Sequence, residues 1–177
     1  LQDTHRTSLT DMTGELGSGV TIGSEVTLPA GSVVQIVNAQ YGDAQAGTAT
    51  IALDDSIPQI TEGTEFMSLN ITPTSATNKL KIDVVFNGHS SASSVVCVAL
   101  FQDSTANALA VGKTEHGADQ DRLDFFTHFM VAGTAVSTTF KVRAGGNNAG
   151  TLAMNGRSAR KYGGRLASSI TITEYMV

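Results

Sequence analysis

From residue 79 to residue 87 the side chains alternate. Leu80, Ile82, Val84 and Phe86 are apolar, and Lys79, Lys81, Asp83 and Asn87 are polar, with Val85 the one exception. Successive side chains of a strand point to opposite faces, so this period of two requires a strand with one buried and one wet face. Weaker copies recur. Between Val136 and Arg143, Phe140 and Val142 alternate with Lys141 and Arg143. Between Ser169 and Met176, Ile170 and Ile172 alternate with Thr171 and Thr173. Val95 to Phe101 is apolar on both faces, the pattern of a strand covered on both sides.

Turn residues separate these runs. Pro29-Ala30-Gly31, Asp54 to Pro58, Thr72 to Asn78, Asn87 to Ser91, Asp103 to Asn107 and Gly145 to Asn148 all read as turns. The remaining stretches predict strands at Val33 to Gln40, Thr48 to Leu53, Phe66 to Ile71, Ala108 to Val111, Leu123 to Met130 and Thr151 to Met154. Glu115 to Asp121 reads as a polar loop and Asn155 to Gly164 as a basic, Gly-containing loop. The count is about eight to ten short strands without a long amphipathic helix, which predicts an all-β, antiparallel, jelly-roll-like sandwich. The last strand is expected inside a sheet, which would tie down the chain end. Thr- and Val-rich composition suits this fold, because β-branched side chains pack well on a pleated surface. Charged residues make up only 15% of the chain, against roughly a quarter in an average domain.

Ahead of this body lies a hexad used twice, Gly17-Ser18-Gly19-Val20-Thr21-Ile22 and Gly23-Ser24-Glu25-Val26-Thr27-Leu28. One strand-and-turn unit of this size cannot bury its own apolar face, so such repeats stack or intertwine with other chains. Residues 1–30 are therefore expected to be a connector and a short extended or β-repeat stalk, and residues 31–177 a sandwich head. Val20, Ile22, Val26 and Leu28 are the candidate stalk interface. Leu1 is not an initiator methionine, and the chain reads as a processed form or a piece of a longer polypeptide.

Several function classes are disfavoured. The net charge is −5 with mixed signs and no basic stripe, against nucleic-acid binding. No apolar run approaches the roughly 20 residues a membrane span needs. Cys97 is the sole cysteine, so an internal disulfide and a multi-cysteine metal site are impossible, and it reads as a small buried hydrophobe. His5, His89, His116 and His128 lack the spacing that converges two imidazoles on one ion. Glu115, Asp119, Asp121 and Asp124 form a carboxylate-rich patch, but not in calcium-loop spacing, and a solvated loop or pairing with Arg122 explains it more simply. No nucleophile elbow or phosphate-binding glycine loop is present. The expectation is a protein without metal, cofactor or catalytic centre.

Two sets of residues stand out as contact candidates. Arg157, Arg160, Lys161, Tyr162 and Arg165 form a basic, aromatic loop, and Arg and Tyr are common binding anchors. An acidic sugar, a neighbouring subunit or water would each suit that loop. Phe126 and His128, in a strand with large groups on both faces, are candidates for an oligomer interface.

From about Pro29 to Glu174 the chain resembles the C-terminal head domains of fibre-like structural proteins (tail fibres and head fibres) of tailed bacteriophages, especially marine and cyanobacterial ones. Four stretches carry the resemblance in order: Pro29 to Gln35, Leu69 to Leu80, Thr138 to Arg143 and Ser168 to Glu174. None is a catalytic signature, so the likeness speaks to architecture. It implies a virion component with a jelly-roll-like head and a homotrimer on a stalk, exposed on the virion alongside other virion proteins. The first expectation is a receptor-binding head that contacts a host surface glycan or protein through loops 87–93, 115–121 and 155–165. The alternatives are a capsid-decorating or head-fibre protein with a structural role and, less in keeping with the residues, a carbohydrate-degrading depolymerase.

Overall fold

The computed structural model describes residues 28–177; Val20, Ile22 and Val26 lie outside the described residues, and Leu28 is half-buried where the chain enters the domain. Ten strands follow in order: β1 Val33–Tyr41, β2 Gln45–Gly47, β3 Thr64–Ile71, β4 Lys79–Ser90, β5 Ser94–Gln102, β6 Ala110–His116, β7 Gln120–Val131, β8 Thr138–Gly146, β9 Leu152–Met154 and β10 Ser168–Tyr175. The described residues contain no α-helix, only a single 3-10 turn at Tyr162–Gly164.

Eight long strands make two antiparallel sheets, β1-β10-β4-β7 and β3-β8-β5-β6. This is the jelly roll expected from the sequence. β7 runs along one side of β4 for its whole length, while β10 and then β9 share the other. Short β2 extends β9. The C-terminal strand β10 lies between β1 and β4, as expected.

The period-two pattern fixes the core. Leu80, Ile82, Val84 and Phe86 of β4 meet Ile170 and Ile172 of β10, Val96, Val98 and Leu100 of β5, and Phe140 and Val142 of β8. All are fully buried, and burying each such side chain contributes about 1.5–3 kcal/mol. A register shift between Glu65 and Met67 lets consecutive Phe66 and Met67 both turn inward, and Phe66 meets the Phe86 ring edge-on at 5.2 Å between centroids. β5 is apolar on its outer face too because residues 48–63 cross that face: Ile51 packs there against Ala99 and Phe101.

Several boundaries differ from the sequence reading. Thr48 to Leu53 is this irregular cover and not a strand. β4 continues through Asn87-Gly88 to Ser90, so the turn is only residues 91–93. β6 runs to His116 and β7 starts at Gln120, which shortens the expected 115–121 loop to a tight hairpin. β8 starts at Thr138 and takes in Gly145 and Gly146.

The topology sorts the connections to two ends. The chain enters at one end, the base, where Gly31 donates to the Met176 carbonyl beside the C-terminus. Connections 72–78, 103–109 and 132–137 share that end. Connections 91–93, 117–119 and 147–167, with residues 42–47, lie at the opposite, distal end.

At the base, buried Glu174 ties three of the four stretches behind the family resemblance together. Its carboxylate accepts from Gln35 Nε2, from Asn78 Nδ2 at 2.6 Å, and from the hydroxyl and backbone N–H of Thr74. Burial pushes this carboxyl up, but the donors from Gln35, Asn78 and Thr74 together outweigh it and hold it below its ordinary value.

Candidate functional site: a groove at the distal end

The connection between β8 and β10 is held in place by Asn155. Its buried side chain donates to the carbonyls of Tyr41 (2.6 Å) and Asp43 (3.1 Å) and accepts from the Ser168 hydroxyl, while its backbone N–H donates to Asn87. Gly42 lets the far side of the loop come close: a Cβ there would lie 2.6 Å from the Gly164 carbonyl oxygen. The loop thus folds over the outer face of the β4–β7 ladder and leaves a groove of about 550 Å³.

The groove joins three segments far apart in sequence. Asn87 and Gly88 come from the end of β4, Asp121, Arg122 and Leu123 from the start of β7, and Gly156, Lys161, Tyr162 and Leu166 from the loop. The β4–β7 register sets Asn87 opposite Leu123, Gly88 opposite Arg122 and His89 opposite Asp121. His89 is buried beside it, with Nδ1 3.1 Å from Asp121 Oδ1 and Nε2 3.8 Å from Asp119 Oδ1. Arg157 Nη1 meets the same Asp119 oxygen at 2.9 Å.

Backbone strain gathers around this groove. Asp119, Asn155 and Tyr162 all have positive φ, at 54°, 60° and 50°. Left-handed backbone costs a non-glycine residue roughly 1–2 kcal/mol, and it is least expected for a bulky one. At Tyr162 a tight turn holds it, with Gly164 donating to the Lys161 carbonyl and Arg165 to the Tyr162 carbonyl. The result is a tyrosine 82% exposed, with its ring at the groove.

Of the five loop residues singled out from the sequence, Lys161 and Tyr162 line the groove and Arg157 borders it through Asp119. Arg160 turns instead to Asp43, 3.5 Å away at the surface, and Arg165 is exposed outside the lining. Asn87 and Asp121 fall in the 87–93 and 115–121 segments expected to make contacts, whereas sequence reasoning missed Arg122 and Leu123, which strand register brings in, and Leu166, one residue beyond the expected loop.

The acidic patch is dispersed. Asp124 points between the sheets, with Oδ2 3.3 Å from buried His116 Nε2, while Asp121 and Asp119 serve His89 and Arg157. Arg122 donates to the Gln120 side chain and the Glu115 carbonyl, so the expected pairing of Arg122 with these carboxylates does not occur. Among the described residues no three His, Cys, Asp or Glu side chains are gathered to hold a metal. Cys97 is half-buried on the outer face of β5, and burial there pushes its thiol up to about 11.

Phe126 and His128, the strand residues expected at an oligomer interface, sit on the inner side of β7. Phe126 packs over Gly112 and against the core, and burial lowers the His128 imidazole below its ordinary value. The outward residues of β7 are Leu123, Phe125, Thr127, Phe129 and Val131; Phe125 is 75% and Phe129 61% exposed.

The fold class is that of a single jelly-roll domain. No family model and no curated protein matches the chain. Among solved structures it is similar to a TNF protein, Eiger, of S. frugiperda, with 8% identity over 78% of this chain and 92% of that one and a TM-score of 0.45. It is also similar to a chain of infectious bursal disease virus, with 13% identity, 93% and 43% covered and a TM-score of 0.40. The enzymatically active domain of a tailspike of Bacteriophage CBA120 gives 13% identity, 68% and 18% covered and a TM-score of 0.30. The chain therefore spans less than half of the viral chains it is similar to. None of these likenesses assigns it to a family or carries a role over to it.

Proposed function

We propose that the chain is the head domain of a fibre-type bacteriophage virion protein that assembles as a homotrimer and attaches to a host surface through its distal end. One observation carries this reading: the chain enters at the base, next to the C-terminus, and three of the four non-glycine residues with positive φ among the described residues, Asp119, Asn155 and Tyr162, lie at the opposite end. A domain mounted from the base presents that end outward, and loops on a rigid scaffold are the usual contact elements.

The trimer reading has its own support. Phe125, Phe129 and Val131 form an exposed apolar stripe on the outer face of β7, and Val33 and Ile36 of β1 share that face. At the base the stripe ends in a mostly apolar hollow lined by Ala30, Gly31, Phe129, Tyr175, Met176 and Val177, with Lys79 at its side. The chain leading to the hexads leaves the domain at this point, so copies joined through that segment meet along the stripe. The occupant is a second copy of this chain.

Binding suits the groove better than turnover. Asp121 is the one carboxylate in its lining, and His89 engages it, whereas glycoside hydrolysis uses a pair about 5–10 Å apart.

The test is the solution mass of the 177-residue chain by light scattering on a sizing column. Three times the chain mass supports the fibre-head reading. A stable monomer overturns it. A trimer that coats purified phage capsids and ignores cells moves the role to capsid decoration.

A further inference from the structure

We propose that the distal groove is a binding site for a carboxylated saccharide. The inference deepens the attachment reading and rests on it for the claim that this end faces a partner.

The β4 part of the groove floor is closed to backbone recognition. At Gly88–Ser90, β4 is paired on one side with β7 and on the other with β9, so β4 itself offers no open edge to an added peptide strand. On the β4 side a ligand is read by side chains. Leu123 and Leu166 give the groove an apolar surface, and Tyr162 adds an exposed ring. A sugar ring offers an apolar C–H face to such surfaces and a rim of hydroxyls to polar groups beside them. Asp121 and Asn87 supply those groups: His89 occupies one Asp121 oxygen, and Asn87 spends its amide on the Ala167 carbonyl but keeps its side-chain oxygen to accept.

Charge selects an acidic sugar. The acids near the groove are engaged, Asp121 by His89 and Asp119 by Arg157. Lys161 has no carboxylate partner among the described residues, whereas Arg122, on the inner side of β7, spends its guanidinium on the Gln120 side chain and the Glu115 carbonyl. A carboxylate beside the Lys161 ammonium completes the arrangement. The backbone strain at Tyr162 fits the same purpose, since strain of this kind persists where surrounding structure fixes a side chain for contact.

The experiment titrates the intact chain, by calorimetry, with tri-galacturonate, a hyaluronan tetrasaccharide and sialyllactose. Maltotriose is the neutral probe and a hexaglutamate peptide the acidic non-sugar. At least one carboxylated saccharide is expected to bind with a dissociation constant of about 1 mM or tighter, with maltotriose and hexaglutamate weaker by about tenfold or more. Lys161→Ala and Tyr162→Ala, both at exposed positions, are expected to weaken it about tenfold each with unchanged solution mass and circular dichroism.

No binding by any of the three carboxylated probes overturns the proposal. So does binding that both variants leave intact, and so does hexaglutamate binding as tightly. Light scattering on the same samples separates this inference from the one beneath it. A trimer blind to all three sugars keeps the fibre head and removes the saccharide site. A monomer that binds them keeps the saccharide site and removes the fibre head.

Discussion

Asn78 donates to Glu174 across 2.6 Å at the base of the sandwich, joining the turn before β4 to the last strand. Because its donors hold Glu174 below its ordinary value, the ionised form stabilises the fold. That contribution is present above the unfolded-state value and is lost as pH falls through the lower folded-state value. Glu174→Gln turns an amide N–H toward donors already in place and is expected to cost about 1–3 kcal/mol at neutral pH. It should also flatten the loss of stability at acid pH. Urea unfolding of both proteins across the acid range checks this, and equal slopes would count against Glu174 as the acid-sensitive anchor.

Inside the distal end, His116 and Asp124 face each other with both side chains shut off from water. Removing one partner strands the other. Asp124→Ala is expected to destabilise by about 3 kcal/mol. Asp121→Ala, which removes an exposed partner of His89, is expected to cost less than about 1 kcal/mol. Denaturant midpoints for the two variants give the comparison, and similar losses would refute it.

The two faces of β7 separate assembly from folding. Phe125→Asp and Phe129→Asp change exposed positions, so stability should stay within about 0.5 kcal/mol while the mass falls toward one chain. Phe126→Asp pushes a carboxylate toward the core and should cost about 2 kcal/mol or more before assembly is considered. Light scattering and thermal melts decide it. Full assembly of both outer-face variants would remove the stripe as the contact between copies.

Tyr162 offers a test of strain. Replacing it with Ala or Gly removes the same ring, but Gly takes a φ of 50° without the Cβ clash. Tyr162→Gly is therefore expected to be about 1 kcal/mol more stable than Tyr162→Ala. Matching melting curves would show that the turn relaxes when the ring is gone.

The alternation at Leu80 to Phe86 and at Ile170 to Ile172 made the sandwich legible, because burial of one sheet face leaves that trace in any single strand. Thr48 to Leu53 misled for a related reason. Ile51 is apolar because it covers the outer face of β5, and no local pattern distinguishes a covering segment from a paired one. Asn87-Gly88 carries a strong turn signal, yet the strand runs through it. A Cβ at Gly88 would lie 2.9 Å from the Phe86 ring and 3.2 Å from His116, so close packing selects the glycine. Half of the candidate site was visible as composition, in Lys161 and Tyr162. The half on β4 and β7 depends on register, which is settled by the whole sheet.

The pairing of β1 with β10 has a mechanical side. β1 leaves the base and runs straight to the distal end, with antiparallel partners from Val33↔Tyr175 to Tyr41↔Ser168. A pull on the chain at Leu28, resisted by whatever grips the far end, acts along that strand. Inter-strand hydrogen bonds lie across this direction, so they bear the load together in shear and are not unzipped one by one. The β1–β10 ladder thus resists extension from Leu28 as one cooperative unit.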